Sequence, residues 1–81
     1  MKIIWDEPKR ISNLAKHGLD FADLDLDFFV TAGVIPAKDG RYKAVGQLNG
    51  GVVIVVFAPL GSEAVSVVSM RPASRKERNP Q

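Results

Sequence analysis

The side chains of this sequence that could carry chemistry are few, and most of them are cationic. There is one histidine, His17, and no cysteine, so a thiolate nucleophile, a disulfide framework and a thiolate zinc site are excluded. A lone imidazole also falls short of the usual His-rich metal sites unless a partner chain supplies ligands. His17 follows Lys16 and closes a stretch that includes Lys9 and Arg10. An unperturbed imidazole titrates near about pH 6.5, and its neutral form is the usual general base. The alternative is a last-turn histidine that only complements a helix dipole. Arg71 ends an apolar stretch, and an arginine at a strand end can clamp a phosphate through two parallel hydrogen bonds. Glu77 is either an acid–base group or an ion-pair partner that orients Arg71 or Arg75. By composition alone, Arg71 and Glu77 could equally be ordinary surface charges.

Other patterns carry less. Asp23, Asp25 and Asp27 imitate the start of a calcium loop. Phe28, however, stands where that loop's glycine belongs and Val34 where its closing glutamate belongs, so a solvated acidic helix face is the better reading. Phosphate-cradling GxxxxGK[ST], GxGxxG and HExxH are all missing, and no metal site is expected.

The chain is 81 residues long, which is room for one core, so residues 1–81 are expected to form one domain. A hydrophobic share of 46% with 25% charged residues excludes disorder or low complexity as a description of the whole. The N-terminus has too short an apolar stretch for a secretory signal, and the run from Gly50 to Leu60 is well under the roughly 18 residues of a membrane span. A soluble, cytoplasmic protein without membrane contact is the expectation. The net charge of +2 hides a segregation. Residues 19–36 carry aspartates and no base, while residues 1–18, 37–62 and 63–81 each carry more base than acid. If the fold brings those three basic segments together, they make a surface that attracts phosphate.

The elements that must do so can be read in outline. Lys2 to Trp5 is a short β-branched and aromatic strand. Asp6 suits an N-cap, Glu7 and Pro8 a first turn, and Gly18 a C-terminal cap, which predicts a helix ending at His17. On that helix Ile11, Leu14 and Ala15 share a narrow apolar face, expected to be buried, opposite a wide cationic one. A second helix is expected from Phe21 to about Phe29, capped by Asp20, because strands disfavour the aspartates that alternate there. Gly33 to Gly40 reads as a loop and Arg41 to Leu48 as a strand. Asn49-Gly50 signals a hairpin into the apolar strand Val52–Phe57. Pro59 to Ser62 reads as a turn, Ala64 to Met70 as a further strand, and the basic tail behind Pro72 as a short helix. The result is an α+β domain of order β-α-α-β-β-β, with two helices on a mainly antiparallel sheet and a short C-terminal helix. A core this small supplies only about 3–5 kcal/mol, so a companion chain is expected.

Trp5-Asp6-Glu7-Pro8-Lys9-Arg10, Asn13, Lys16-His17-Gly18 and Phe21 together resemble the opening of the BrnT family, toxins of type II toxin–antitoxin systems. The likeness continues through Asp39, Arg41 and Gly46, through Val55-Val56-Phe57, and through Val67 to Arg78, which is similar to the family's ending. It spans nearly the whole chain. The chain departs from the pattern at Ser66, where the family commonly has arginine, at Leu60-Gly61, where Arg-Gly is frequent, and at Asn79-Pro80-Gln81, which lack an aromatic.

The resemblance implies a RelE-like fold and a ribonuclease that needs no metal or other cofactor and blocks translation. It also implies a BrnA-like antitoxin with a ribbon-helix-helix DNA-binding part, through which alone the toxin would meet operator DNA. In such chemistry the RNA's own 2′-hydroxyl attacks the adjacent phosphate, and cations stabilise the charge that develops. Arg71 is then the expected phosphate clamp, and His17 and Glu77 the acid–base candidates. Lys9 supports them, and Arg41, Lys43, Arg10, Lys16 and Arg75 contact RNA phosphates. The alternative is a catalytically degenerate homologue that serves as the antitoxin-binding module of an autorepressor complex.

Overall fold

The first and last strands of the chain lie side by side in one sheet. In the computed structural model, which describes residues 1–78, β1 (Lys2–Trp5) lies parallel to β5 (Ala64–Pro72). Three more strands complete a sheet of order β1-β5-β4-β3-β2: β2 (Gly33–Pro36), β3 (Tyr42–Leu48) and β4 (Gly51–Leu60), all joined antiparallel. Helices α1 (Glu7–His17), α2 (Leu26–Thr31) and α3 (Arg75–Arg78) and a 3₁₀ turn (Phe21–Asp23) make up the rest. The α+β class and the mainly antiparallel sheet are as expected. Among the described residues no helix is long and apolar enough to cross a membrane.

The β3–β4 hairpin turns on Asn49 (φ 51°) and Gly50 (φ 83°). Both positive φ values belong to the tight turn whose twist matches paired strands. α1 begins at Asp6, whose carbonyl accepts from the Lys9 and Arg10 amides although its side chain makes no cap bond. It ends at Gly18, where φ of 69° lets the amide donate back to the Leu14 carbonyl at 2.8 Å.

Four expectations need correction. The helix expected over Phe21–Phe29 is broken: a 3₁₀ turn is followed by extended Leu24 and only then by α2. The aspartates explain the break, because each caps a separate element. Asp20 Oδ1 accepts from the Ala22 amide and Asp25 Oδ1 from the Phe28 amide, both at 2.9 Å. Gly33–Pro36, expected as loop, is the edge strand β2, carried by β-branched Val34 and Ile35. β4 continues through Pro59, so the turn falls at Gly61–Glu63.

The fourth correction concerns α1, which lies inside out. Ile11 is 56% exposed and Leu14 38%, while Asn13 is the buried residue of the helix at 8%. The reason is the edge it occupies. β1 pairs with β5 only as far as Val67, and α1 then follows the uncovered edge. There Asn13 Oδ1 accepts the Met70 amide at 3.1 Å, and its Nδ2 donates to the Leu19 carbonyl at 3.3 Å. A strand edge demands hydrogen bonds, and a polar helix face supplies them.

The core lies on the other elements. Phe21, Phe28, Ala44, Val55, Val67 and Met70 are fully or almost fully buried on one face of the sheet. α2 approaches so closely at Gly46 that a Cβ there would meet the Phe28 ring at 3.0 Å. In β5 the alternation is interrupted: Val56 pairs with Ser69 but Phe57 with Val67, which leaves Val68 as the extra residue of a bulge. Uninterrupted alternation would carry Arg71 onto the core face with Val65 and Val67. The bulge instead turns Met70 inward and Arg71 outward.

Candidate active site

Outward-facing Arg71 is held from behind by α3. Its Nη1 and Nη2 donate to Glu77 Oε1 and Oε2, each at 2.8 Å. Glu77 is fixed in turn by a reciprocal cap: Oε1 also accepts the Ser74 amide at 2.8 Å, and the Glu77 amide donates to Ser74 Oγ at 3.2 Å. Hydrogen bonds from Arg71 and then from the Ser74 amide hold the Glu77 carboxyl at about 2 instead of 4.5. Glu77 raises the Arg71 guanidinium in return. At neutral pH the pair is an ionised fork.

A guanidinium has five N–H donors. Glu77 uses two of Arg71's, and the Pro72 carbonyl receives another from Nη1 at 3.4 Å. Among the described residues nothing accepts from the Nε–H and the remaining Nη2 hydrogen on the side-on edge, the geometry that takes two oxygens of a phosphate. The Arg71 side chain is 41% exposed, so that edge is reachable.

Two basic depressions lie on the same side of the sheet. One, of about 460 Å³, runs between α1 and the bulge and is lined by Pro8, Lys9, Ser12, Lys16, His17 and Ser69 among others. The other, of about 350 Å³, lies at the start of β3 and is lined by Lys38, Arg41, Lys43, Ile35, Pro36 and Val56 among others. Register joins them. Lys43 pairs with Val56 and Val56 with Ser69, so one row crosses the sheet from the second depression to the first. Arg71 stands one side-chain repeat from Ser69 on the same face, which puts its Cα roughly 12 Å from that of Lys43. The expected cations from three chain segments thus meet on one side. Among the described residues, Lys9, Lys16, Arg41, Lys43 and Arg75 are in no ion pair.

Arg10 differs. Its Nε and Nη2 donate to Glu7 at 2.7 Å and its Nη1 to both Asp20 oxygens at 3.2 Å. Trp5 Nε1 donates to the same Glu7 at 3.0 Å. Hydrogen bonds from Arg10 and then Trp5 hold the Glu7 carboxyl at about 2. The group fastens β1, α1 and the Asp20 turn together. Arg75 is exposed on α3. Of the departures from the family pattern, Ser66 sits in β5 between Ile4 and Ala58, and Leu60-Gly61 falls where β4 gives way to the turn. Asn79 to Gln81 lie outside the described residues.

Three contributors were given no role in the reading of the sequence, although Asn13 belongs to the family likeness. Ser74 was legible, since Ser-x-x-Glu is the signature of the cap it makes with Glu77. Asn13 carried no such signal, because a buried helix asparagine is defined only by the strand edge it serves. Ser69 owes its place to the bulge.

With this geometry in view, the likeness to known proteins is specific. Residues 5–77 match the family model for the ribonuclease toxin BrnT of type II toxin–antitoxin systems. The crystal structure of the Brucella abortus ribonuclease toxin BrnT is 60% identical and superposes with a TM-score of 0.87, covering 93% of this chain and 99% of that one. No curated protein matches. The matched span takes in both basic depressions, Arg71 and Glu77, and the chain belongs to the BrnT family of ribonuclease toxins of type II toxin–antitoxin systems.

Proposed function

We propose that this ribonuclease toxin cleaves RNA without a metal ion, that it thereby inhibits translation in the cytoplasm, and that a BrnA-like antitoxin neutralises it. The observation that carries the reading is the side-on edge of Arg71, pinned by Glu77 and, among the described residues, without a hydrogen-bond partner, on the same side as two depressions lined by lysines and arginines. An RNA strand laid along the Lys43–Val56–Ser69 row presents its phosphates to Arg41 and Lys43 at one end and to Lys9 and Lys16 at the other. The scissile phosphate is held by the Nε–H and Nη2–H of Arg71.

His17 is the proton acceptor in this scheme. It takes the proton of the ribose 2′-hydroxyl, whose oxygen attacks phosphorus. The 5′-oxygen of the next nucleotide leaves with a proton from Lys9, the other proton-bearing catalytic candidate of the groove. A 2′,3′-cyclic phosphate and a 5′-hydroxyl result. Arg71 stabilises the extra charge on the phosphorane. Of the two roles open to Glu77, a carboxyl held at about 2 suits orientation of Arg71, since it has no proton to give at neutral pH. Arg10 is left out of the RNA surface because two carboxylates occupy it. The lysines and arginines that line the two depressions suit chemistry without a metal, since they repel a cation.

The test is incubation of the purified chain with RNA in excess EDTA, with products read by mass spectrometry. Cyclic-phosphate ends formed at an unchanged rate support the mechanism; cleavage abolished by chelation and restored by a divalent ion overturns it. In the assembled system, operator DNA is contacted through the ribbon-helix-helix part of the antitoxin.

A further inference from the structure

The depression at the start of β3 is lined by more than cations. Aliphatic Ile35, Pro36 and Val56 stand in it beside Lys38, Arg41 and Lys43. Ile35 pairs with Lys43 and Lys43 with Val56, so these three form one row on the face that carries Arg71. Ile35 is 54% exposed there and does not pack on the core. The hairpin between β2 and β3 sets the spacing of the rim. It turns on Asp39 (φ 61°) and Gly40 (φ 72°), the Arg41 amide donates to the Lys38 carbonyl at 3.2 Å, and the Ala37 amide donates to the Arg41 carbonyl at 2.8 Å. We propose that this depression is a nucleobase pocket that selects guanine, with Lys38 as the residue that reads it. The proposal rests on the nuclease reading above for its ligand, single-stranded RNA, and adds which base that RNA presents.

Shape and donor chemistry select that ligand. A sugar–phosphate strand alone satisfies the cations and leaves the aliphatic side chains against water, whereas an unstacked base covers them. A guanidinium plane such as that of Arg41 stacks on a base as well. The charged side chains that line the depression are all donors, and among the described residues Lys38, Arg41 and Lys43 are in no ion pair. Donors without acceptors favour a base edge that carries acceptors alone. Guanine offers O6 and N7 side by side, the pair that lysine and arginine read, while adenine and cytosine present an amino group there and uracil a single acceptor. Arg41 and Lys43 hold phosphates in the scheme above, which leaves Lys38 for the base. Val56 pairs with Ser69, one side-chain repeat from Arg71, so the Val56 Cα lies about 8 Å from that of Arg71. A base against Val56 therefore belongs to a nucleotide close to the clamped phosphate.

The test uses short 2′-O-methyl oligonucleotides, which lack the attacking hydroxyl and so report binding without cleavage. Each carries one guanine, 7-deazaguanine, adenine or cytosine in a uridine background, and affinity is read by fluorescence anisotropy at one fixed salt concentration. Guanine is expected to bind about 10-fold or more tightly than adenine, and 7-deazaguanine, which lacks N7, to lose about threefold or more of that advantage. Lys38 is exposed at the hairpin tip, so its replacement should leave the circular dichroism spectrum unchanged. Lys38→Ala is expected to bring guanine within about twofold of adenine, and Lys38→Glu, an acceptor, to favour cytosine over guanine. Equal affinity for all the bases overturns the pocket, as does a preference for another base or a guanine preference that Lys38→Ala leaves intact. If a variant unfolds, the 7-deazaguanine comparison on the parent chain decides. A chain that selects guanine yet cleaves only with a divalent ion keeps the pocket and loses the metal-free mechanism. Metal-free cleavage without base preference does the opposite, and failure to bind any of the oligonucleotides overturns both.

Discussion

Arg10 and Arg71 are both arginines in bidentate contact with a glutamate, and they have opposite consequences. Arg10 faces two carboxylates, and all three of its nitrogens donate to them. Its cluster carries net negative charge, and Glu7 occupies its side-on edge. Among the described residues Arg71 faces one carboxylate, its side-on edge has no partner, and the lysines of the groove are in no ion pair. A guanidinium becomes a binding group or a fastener according to how many of its donors the protein itself consumes. The second carboxylate near Arg10, Asp20, comes from the turn that follows α1; Arg71 lies at the end of β5, where α3 brings only Glu77.

Breaking this contrast yields measurable results. The largest effect is expected from Arg71→Ala, which should lower single-turnover RNA cleavage by about 100- to 1000-fold with the melting curve near that of the parent. A folded Arg71→Ala protein of undiminished activity would remove the clamp from the mechanism. Next is Glu77→Gln, which keeps the shape but loosens the fork. Cleavage should fall by about 10-fold or more, since small misplacements of a positioned group are expensive.

Asn13 lies between the two arginines and joins α1 to β5. Asn13→Ala leaves the buried Met70 amide without its acceptor and should destabilise the protein by about 1–3 kcal/mol in chemical denaturation. Arg10→Gln should do the reverse of the Arg71 substitution: a melting midpoint lowered by a few degrees, and cleavage within about threefold of the parent. A fall in cleavage comparable to that of Arg71→Ala would put Arg10 back on the RNA surface.

The smallest effect is on acid stability. Glu7 and Glu77 titrate at about 2 in the folded chain against 4.5 ordinarily. A depressed folded value means that the stabilisation is fully present above pH 4.5 and lost as pH falls from there toward 2. Glu7 is exposed and Glu77 about a third so, and solvent screens the gain, most at Glu7. Glu7→Gln should flatten that acid limb of the melting-midpoint profile, and an unchanged limb would show that the Arg10 cluster contributes nothing.

How far these features were legible depends on the range of the interaction behind each. α1, its Gly18 cap and the Asn49-Gly50 hairpin follow from contacts within a few residues, and their bounds hold closely. The helix expected over Phe21–Phe29 failed because Asp20 and Asp25 compete for backbone amides, a local effect that periodicity does not register. β2 was missed because four exposed residues with glycine and proline at their ends look like a loop until β3 offers them a ladder. At the site, the types of the cations and the pairing alternative for Glu77 were readable. Their meeting on one face was not.

By itself, then, the order of residues determined the α+β class, the supply of cations and the family likeness, because these rest on residue type, short-range periodicity and motif. Tertiary structure alone decided that Arg10 is spent and Arg71 is not, that α1 turns its apolar side outward, and that a single bulged residue, Val68, carries Arg71 out of the core. Each of those outcomes hangs on a partner distant in the sequence: a turn aspartate, an unpaired strand edge, the register of β4 against β5. Hydrogen-bond donors and strand faces are assigned only when such partners arrive.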